Sequence, residues 1–245
     1  MEFKKVSFRY PGAEDDVLKN ITFTAKPGQT TAIIGSTGSG KSTLINLIPR
    51  FYDATSGSIL VNGIDIRNVT QHDLREKVGY VSQKTLLFSG TIASNIRYAN
   101  ENATEKDLEK FLETAQALDF TKENEQGLEM IVAQGGANLS GGQKQRLSIA
   151  RALAKKPEIF IFDDSFSSLD YATDAALRRA LRKETNNATV LIVTQRISTI
   201  MGSDQIVVLD HGEIVGIGKH KELMESCEVY REIAQSQLTR EELAQ

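Results

Sequence analysis

With 245 residues, 40% of them hydrophobic and 25% charged, the chain has the length and balance of a globular protein able to bury a sizeable core. A formal net charge of −3 gives no support for non-specific nucleic-acid binding, and a lone Cys227 excludes a disulfide framework and a cysteine-based zinc site. No apolar stretch reaches the ~20 residues that span a bilayer, so work at a membrane would need another polypeptide or a further segment to supply the span.

The opening stretch is β-rich. Residues 3–10 alternate, Pro11-Gly12 turns, and Ile21–Ala25 alternates again before Pro27-Gly28. The apolar run Thr31–Ile34 leads into a glycine-rich loop, and a helix is predicted from Lys41 to Phe51. Ser58–Val61 followed by Asn62-Gly63 predicts a hairpin on a type I′ turn. From Val69 to about Lys122 the period turns helical, broken by the short strand Val78–Val81, with Thr104 and Asp107 capping a helix through Ala115. Gly127–Asn138 reads as loop, and a helix starts at Ser140 and runs to Lys155.

Two buried parallel strands follow, Ile159–Phe162 and Thr189–Val193, separated by a helix over Ala172–Glu184. A β-ribbon, Gln205–Leu209 with Glu213–Ile217, turns at His211-Gly212, and helical segments start at Lys219 and at Glu228. This order predicts an α/β fold over residues 1–245: a P-loop core with a mixed, mainly parallel sheet, an antiparallel β part, and an α-helical insert over about 84–155.

The loop itself reads Gly35-Ser36-Thr37-Gly38-Ser39-Gly40-Lys41-Ser42-Thr43, the phosphate-binding pattern G-x-x-x-x-G-K-[ST] between a strand and a helix. Glycines let backbone N–H groups turn inward around phosphate oxygens, and the helix start offers its own N–H groups and positive dipole end. Lys41 is placed to reach the β- and γ-phosphates and Ser42 to offer a hydroxyl to Mg²⁺. A nucleoside triphosphate site follows from these residues.

Asp163 ends the apolar run Ile159–Phe162, the place where such sites hold their metal. Leu139-Ser140-Gly141-Gly142-Gln143 has the spacing of a capping box, yet two glycines in a first helical turn cost about 1 kcal/mol each against alanine. A close approach to the backbone, such as a phosphate at the helix N-terminus, explains them where capping alone does not.

Together, G-S-T-G-S-G-K-S-T, V-S-Q-K, L-S-G-G-Q, I-F-I-F-D-D and S-S-L-D, in this order, resemble the nucleotide-binding domain of an ABC transporter from Phe3 to about Gln237. Thr85–Ile96 is similar to the stretch after the Q-loop in exporters. The resemblance implies ATP and Mg²⁺ as ligands, head-to-tail pairing with a homologous ATPase subunit, transmembrane domains as partners, and a place on the cytoplasmic face of the membrane. It implies that Tyr10 stacks on adenine, and that Gln83 touches Mg²⁺ or the attacking water and senses the membrane domains. It also implies that Ser140, Gly141, Gly142 and Gln143 approach the γ-phosphate held by the partner, and that Asp170 links the two sites. Read alone, Tyr10 is also an ordinary strand-edge tyrosine, and Asp170 a helix N-cap.

Two positions depart from the family pattern. Asp164 stands where a glutamate usually polarises the attacking water, and Gln195 where a histidine usually contacts the γ-phosphate. None of the 3 histidines (His72, His211, His220) lies near that strand end in sequence. Aspartate is one methylene short, and misplacing a catalytic group by about 1 Å costs around 100-fold. Glutamine hydrogen-bonds a phosphate but cannot become a cation or shuttle a proton. Ala133-Gln134-Gly135-Gly136 also lacks the glutamate that exporters often place before the signature. The expectation is a degenerate-site subunit of a heterodimeric, multidrug-type exporter, cut from a longer chain, whose intact signature completes the partner's site. The alternatives are a non-hydrolytic ATP-binding module and a homodimeric exporter.

Overall fold

The computed structural model describes residues 1–238. Strands β1 (Glu2–Phe8), β2 (Leu18–Thr24) and β3 (Thr30–Ile34) lead to helix α1 (Lys41–Asn46), and β4 (Ser56–Val61) turns into β5 (Ile64–Asp65). That turn is the expected hairpin: Asn62 at φ 52° and Gly63 at φ 79° are both left-handed, as a type I′ turn requires. Helix α1 stops well short of Phe51. The turns after it close on carbonyls three residues back, Pro49 has no N–H to continue the ladder, and Arg50 crosses to φ 54°.

The middle of the chain holds α2 (Gln71–Glu76), β6 (Val78–Val81), β7 (Gly90–Thr91), α3 (Ile92–Arg97), α4 (Glu105–Thr114) and α5 (Leu118–Glu123). The expected cap of α4 is there as a reciprocal box between Thr104 and Asp107. Within the stretch read as loop, β8 (Ile131–Val132) pairs antiparallel with β7. A ladder that short has no alternation to detect.

The second half runs α6 (Gly141–Ala154), β9 (Ile159–Asp163), α7 (Tyr171–Glu184), β10 (Thr189–Val193) and α8 (Ile197–Ile200). It closes with β11 (Gln205–Asp210), β12 (Glu213–Gly218), α9 (His220–Ser226) and α10 (Glu228–Gln235).

A six-stranded sheet in the order β12-β11-β3-β10-β9-β6 is parallel apart from β12, and an antiparallel four-stranded sheet runs β2-β1-β4-β5. The central strands are buried on both faces, as their unbroken apolar runs require. Alternate side chains separate the two cores. Phe160, Phe162, Val190 and Ile192 pack with the helices α3, α4 and α6. Ile159, Ile161, Leu191 and Val193 pack with α1 and the antiparallel sheet. Strands β3, β10 and β9 are in register, with Val193 beside both Ile33 and Asp163. Their C-terminal ends therefore deliver the glycine loop, Asp163 and Gln195 to one edge, the crevice where open α/β sheets bind ligands. Among the described residues no helix is long and apolar enough to cross a membrane.

Candidate functional site

The glycine loop is shaped by its neighbours. A Cβ on Gly35 would meet the Leu209 carbonyl oxygen at 2.1 Å, and one on Gly40, at φ 102°, would meet Leu18 Cδ2 at 2.7 Å. Side chains at either place would push the loop off the sheet. Lys41 is buried, and its Nζ donates to the carbonyls of Gly35 at 2.8 Å and Ser36 at 2.7 Å. Burial lowers its pKa, while Asp163 and Asp164 pull it back up. A third bond goes to Ser39 Oγ at 3.4 Å, and an ammonium held by neutral oxygens has charge to offer an anion entering the loop.

Asp163, 7% exposed, faces Lys41 from the end of β9. Burial raises its pKa most; the Tyr80 hydroxyl, Lys41 and the Ser42 hydroxyl act against that, and Asp164 adds to it. Asp164 follows at φ 46°, a left-handed geometry that aspartate visits more readily than most residues. Its N–H donates to the Val193 carbonyl at 2.8 Å, and its carboxylate accepts from Gln83 Nε2 at 3.5 Å. Across the cleft, Gln195 Nε2 reaches Thr37 Oγ1 at 3.5 Å.

Thr37, Gly38, Gly40, Lys41, Ser42, Thr43, Gln83, Asp163, Asp164 and Gln195 all line one cleft of about 440 Å³. Sequence reading missed three of its walls, Val17, Val193 and Thr194. Tyr10 sits outside that lining, with its hydroxyl 3.0 Å from Thr43 Oγ1 and its ring edge-on to Phe8 and Tyr52.

The Ser140–Gln143 segment is elsewhere and does not line the cleft. Ser140 Oγ accepts the Gln143 N–H at 3.2 Å and Gln143 Oε1 accepts the Ser140 N–H at 2.9 Å, so the capping box is complete. The first turn lies against the loop after β9: a Cβ on Gly142 would be 3.2 Å from the Ser168 carbonyl, while Gly141 has only ordinary contacts. Own-chain packing thus accounts for one glycine and leaves the other unexplained. Asp170 caps α7, accepting the Thr173 N–H at 2.9 Å. Buried Gln145 ties these pieces together, donating to the Asp164 carbonyl at 3.4 Å and accepting the Ser168 N–H at 3.3 Å.

A sequence profile of the family described as ABC transporter matches residues 18–167. The chain belongs to the ABC transporter family. An uncharacterized ABC transporter ATP-binding protein of Mycobacterium tuberculosis is 50% identical over 94% of the chain, which covers 40% of that protein. The ATP-dependent lipid A-core flippase of Haemophilus influenzae is 41% identical over 98% of the chain and 41% of its own length. Among solved structures, a bacterial Atm1-family ABC exporter with ATP bound matches at a TM-score of 0.92 and 37% identity, over 96% of the chain and 41% of that chain. The chain thus spans about two fifths of the length of these relatives. In sequence and fold it is an exporter-type ABC nucleotide-binding domain, with the P-loop core, antiparallel sheet and helical layer of the ABC ATPase fold.

The residues of this ABC site fit a magnesium nucleotide. Among the described residues no group of three or more His, Cys, Asp or Glu gathers to cage a metal by itself. One carboxylate, Asp163, with the Ser42 hydroxyl close enough to hydrogen-bond it, suits a cation that keeps its waters and shares phosphate oxygens. The buried Lys41 and the left-handed Gly38 and Gly40 suit an anion in the loop.

Proposed function

We propose that this chain is the ATP-hydrolysing half of an ABC exporter, pairing head to tail with a homologous subunit and working beneath transmembrane domains on the cytoplasmic side of the membrane. The observation that carries this reading is the separation of the two motifs. Lys41, Ser42 and Asp163 share one cleft, while Ser140–Gln143 present a capped, solvent-facing helix start that lines no part of it. A helix N-terminus aimed at solvent is an anion site for a second subunit, and Gly141, which packing leaves unexplained, suits a phosphate there.

At the chain's own cleft, Lys41 and the loop N–H groups would hold the phosphates, and Ser42 and Asp163 would hold a Mg²⁺ ion, which supplies charge neutralisation when bound. Gln83 and Asp164 lie together where an attacking water would be oriented. Asp164 is a short base and Gln195 an uncharged switch, so binding outlasts hydrolysis at this site, and the heterodimer's faster turnover falls to the partner's P-loop. The same two residues favour a second reading, a clamp that binds ATP without cleaving it.

Calorimetry with Mg-ATP and sizing of the chain mixed with its homologous partner test the proposal. Wild type is expected to bind Mg-ATP and to associate in its presence. Lys41→Ala should lose binding, and Ser140→Ala should keep binding while weakening association. Association indifferent to both nucleotide and Ser140 would contradict the proposal.

A further inference from the structure

Just past α10, Gln237 reaches back to the loop that carries Gln195. Its Oε1 accepts the Ile197 N–H at 3.0 Å and its Nε2 donates to the Gln195 carbonyl at 2.6 Å, so one carboxamide straddles Arg196. Helix α8 begins at Ile197 with no side-chain cap from Arg196. Gln237 therefore takes an N–H that the helix itself leaves without a partner.

The loop is braced from its other side as well. Arg196 donates to the Ser167 carbonyl at 2.7 Å, and its own N–H donates to Thr194 Oγ1 at 3.1 Å. The base of Gln237 is firm: α10 buries Tyr230 and Ala234, and the Tyr230 hydroxyl lies 2.8 Å from His220 Nδ1. Gln195, by contrast, has an exposed side chain with a single long contact, to Thr37 Oγ1 at 3.5 Å. Its direction is set by backbone anchoring and not by packing.

We infer that Gln237 is a positioning residue for the nucleotide site, its carboxamide fixing the backbone around Arg196 and thereby aiming Gln195 at the terminal phosphate. This rests on the role proposed above for Gln195. It places the C-terminal segment in control of the switch loop: displacing the end of α10 releases both bonds at once.

Hydrogen exchange at the Ile197 amide and the ratio of Mg-ATP to Mg-ADP affinity, both on the full chain, test the inference. Gln237→Ala is expected to deprotect the Ile197 amide and to weaken Mg-ATP about threefold to tenfold, the effect of one ordinary hydrogen bond. Mg-ADP, lacking the terminal phosphate, should bind unchanged. Gln195→Ala should narrow the ratio alike, and the double variant no further, as for residues acting as a unit. Gln237→Glu keeps the acceptor for Ile197 but sets a carboxylate against the Gln195 carbonyl, so protection should stay while the ratio narrows. A merely structural residue would instead lower the thermal midpoint and both affinities together, which would overturn the inference. So would an unchanged Ile197 exchange rate in Gln237→Ala, or an unchanged ratio where Gln195→Ala alters it. If Gln195→Ala leaves the ratio unchanged, the role of Gln195 falls and this inference with it, the retained exchange effect marking Gln195 as the failure.

Discussion

Tyr80 stands beside Asp163 across neighbouring parallel strands, its hydroxyl donating to Oδ2 at 3.3 Å with Asn46 Oδ1 at 3.1 Å as the other acceptor. Burial and the Asp163 charge push the phenol far above its ordinary range, so it stays a donor. The bond favours the ionised carboxylate that a cation needs, against the burial that favours its protonated form. Tyr80→Phe is therefore expected to reduce ATP affinity severalfold in Mg²⁺ and to leave it unchanged in EDTA. Equal losses in both buffers, measured by calorimetry, would place Tyr80 outside the metal's support.

The start of α6 combines a cap with a candidate phosphate contact, and the two are separable. Ser140→Ala removes the cap and should cost about 1 kcal/mol of stability along with partner association. Gln143→Glu preserves the reciprocal box and suits the helix dipole, yet sets a carboxylate where a phosphate would arrive. Its thermal midpoint should hold while ATP-dependent association falls. Association that follows the midpoint in both variants would leave only the cap.

Much of this architecture is legible in the sequence because it is local. The glycine loop is a contiguous string between a strand and a helix, and the Asn62-Gly63 turn and the Thr104 and Ser140 boxes each close within a few residues. Strands β9 and β10 announce themselves by apolar runs. Long-range partners are not legible. Tyr80 looks like an ordinary strand tyrosine until β6 pairs with β9, and Gln145 like a helix-face glutamine until it bridges Asp164 and Ser168. Gln237 meets Gln195 across 42 residues of sequence, and nothing in its own segment marks it. The early end of α1 was signalled by Pro49, whose effect on the helix ladder outweighs the apolar periodicity that continues past it.

His220 supplies a pH dependence remote from the cleft. Burial against Tyr230, and secondarily Lys221, hold its imidazole below the ordinary 6.5. The folded chain keeps it neutral while the unfolded chain takes up a proton, so the unfolded state binds more protons in the window below 6.5. Stability is then complete above that pH and declines as pH falls toward the depressed folded value. Thermal midpoints of His220→Gln should lack this part of the decline. An identical slope in the variant would remove His220 as its source.

The cleft is proposed to grip Mg-ATP and to cleave it slowly because of Asp164 and Gln195. Glutamate is less at ease than aspartate at φ 46°, so Asp164→Glu should lower the thermal midpoint even as it lengthens the base. The most direct measurement is ATP turnover at saturating Mg-ATP for wild type and for Asp164→Glu/Gln195→His, each paired with the homologous subunit whose own P-loop lysine has been removed. Wild type is expected to turn over slowly and the double variant about 10-fold to 100-fold faster. Wild-type turnover equal to that of the double variant would contradict it.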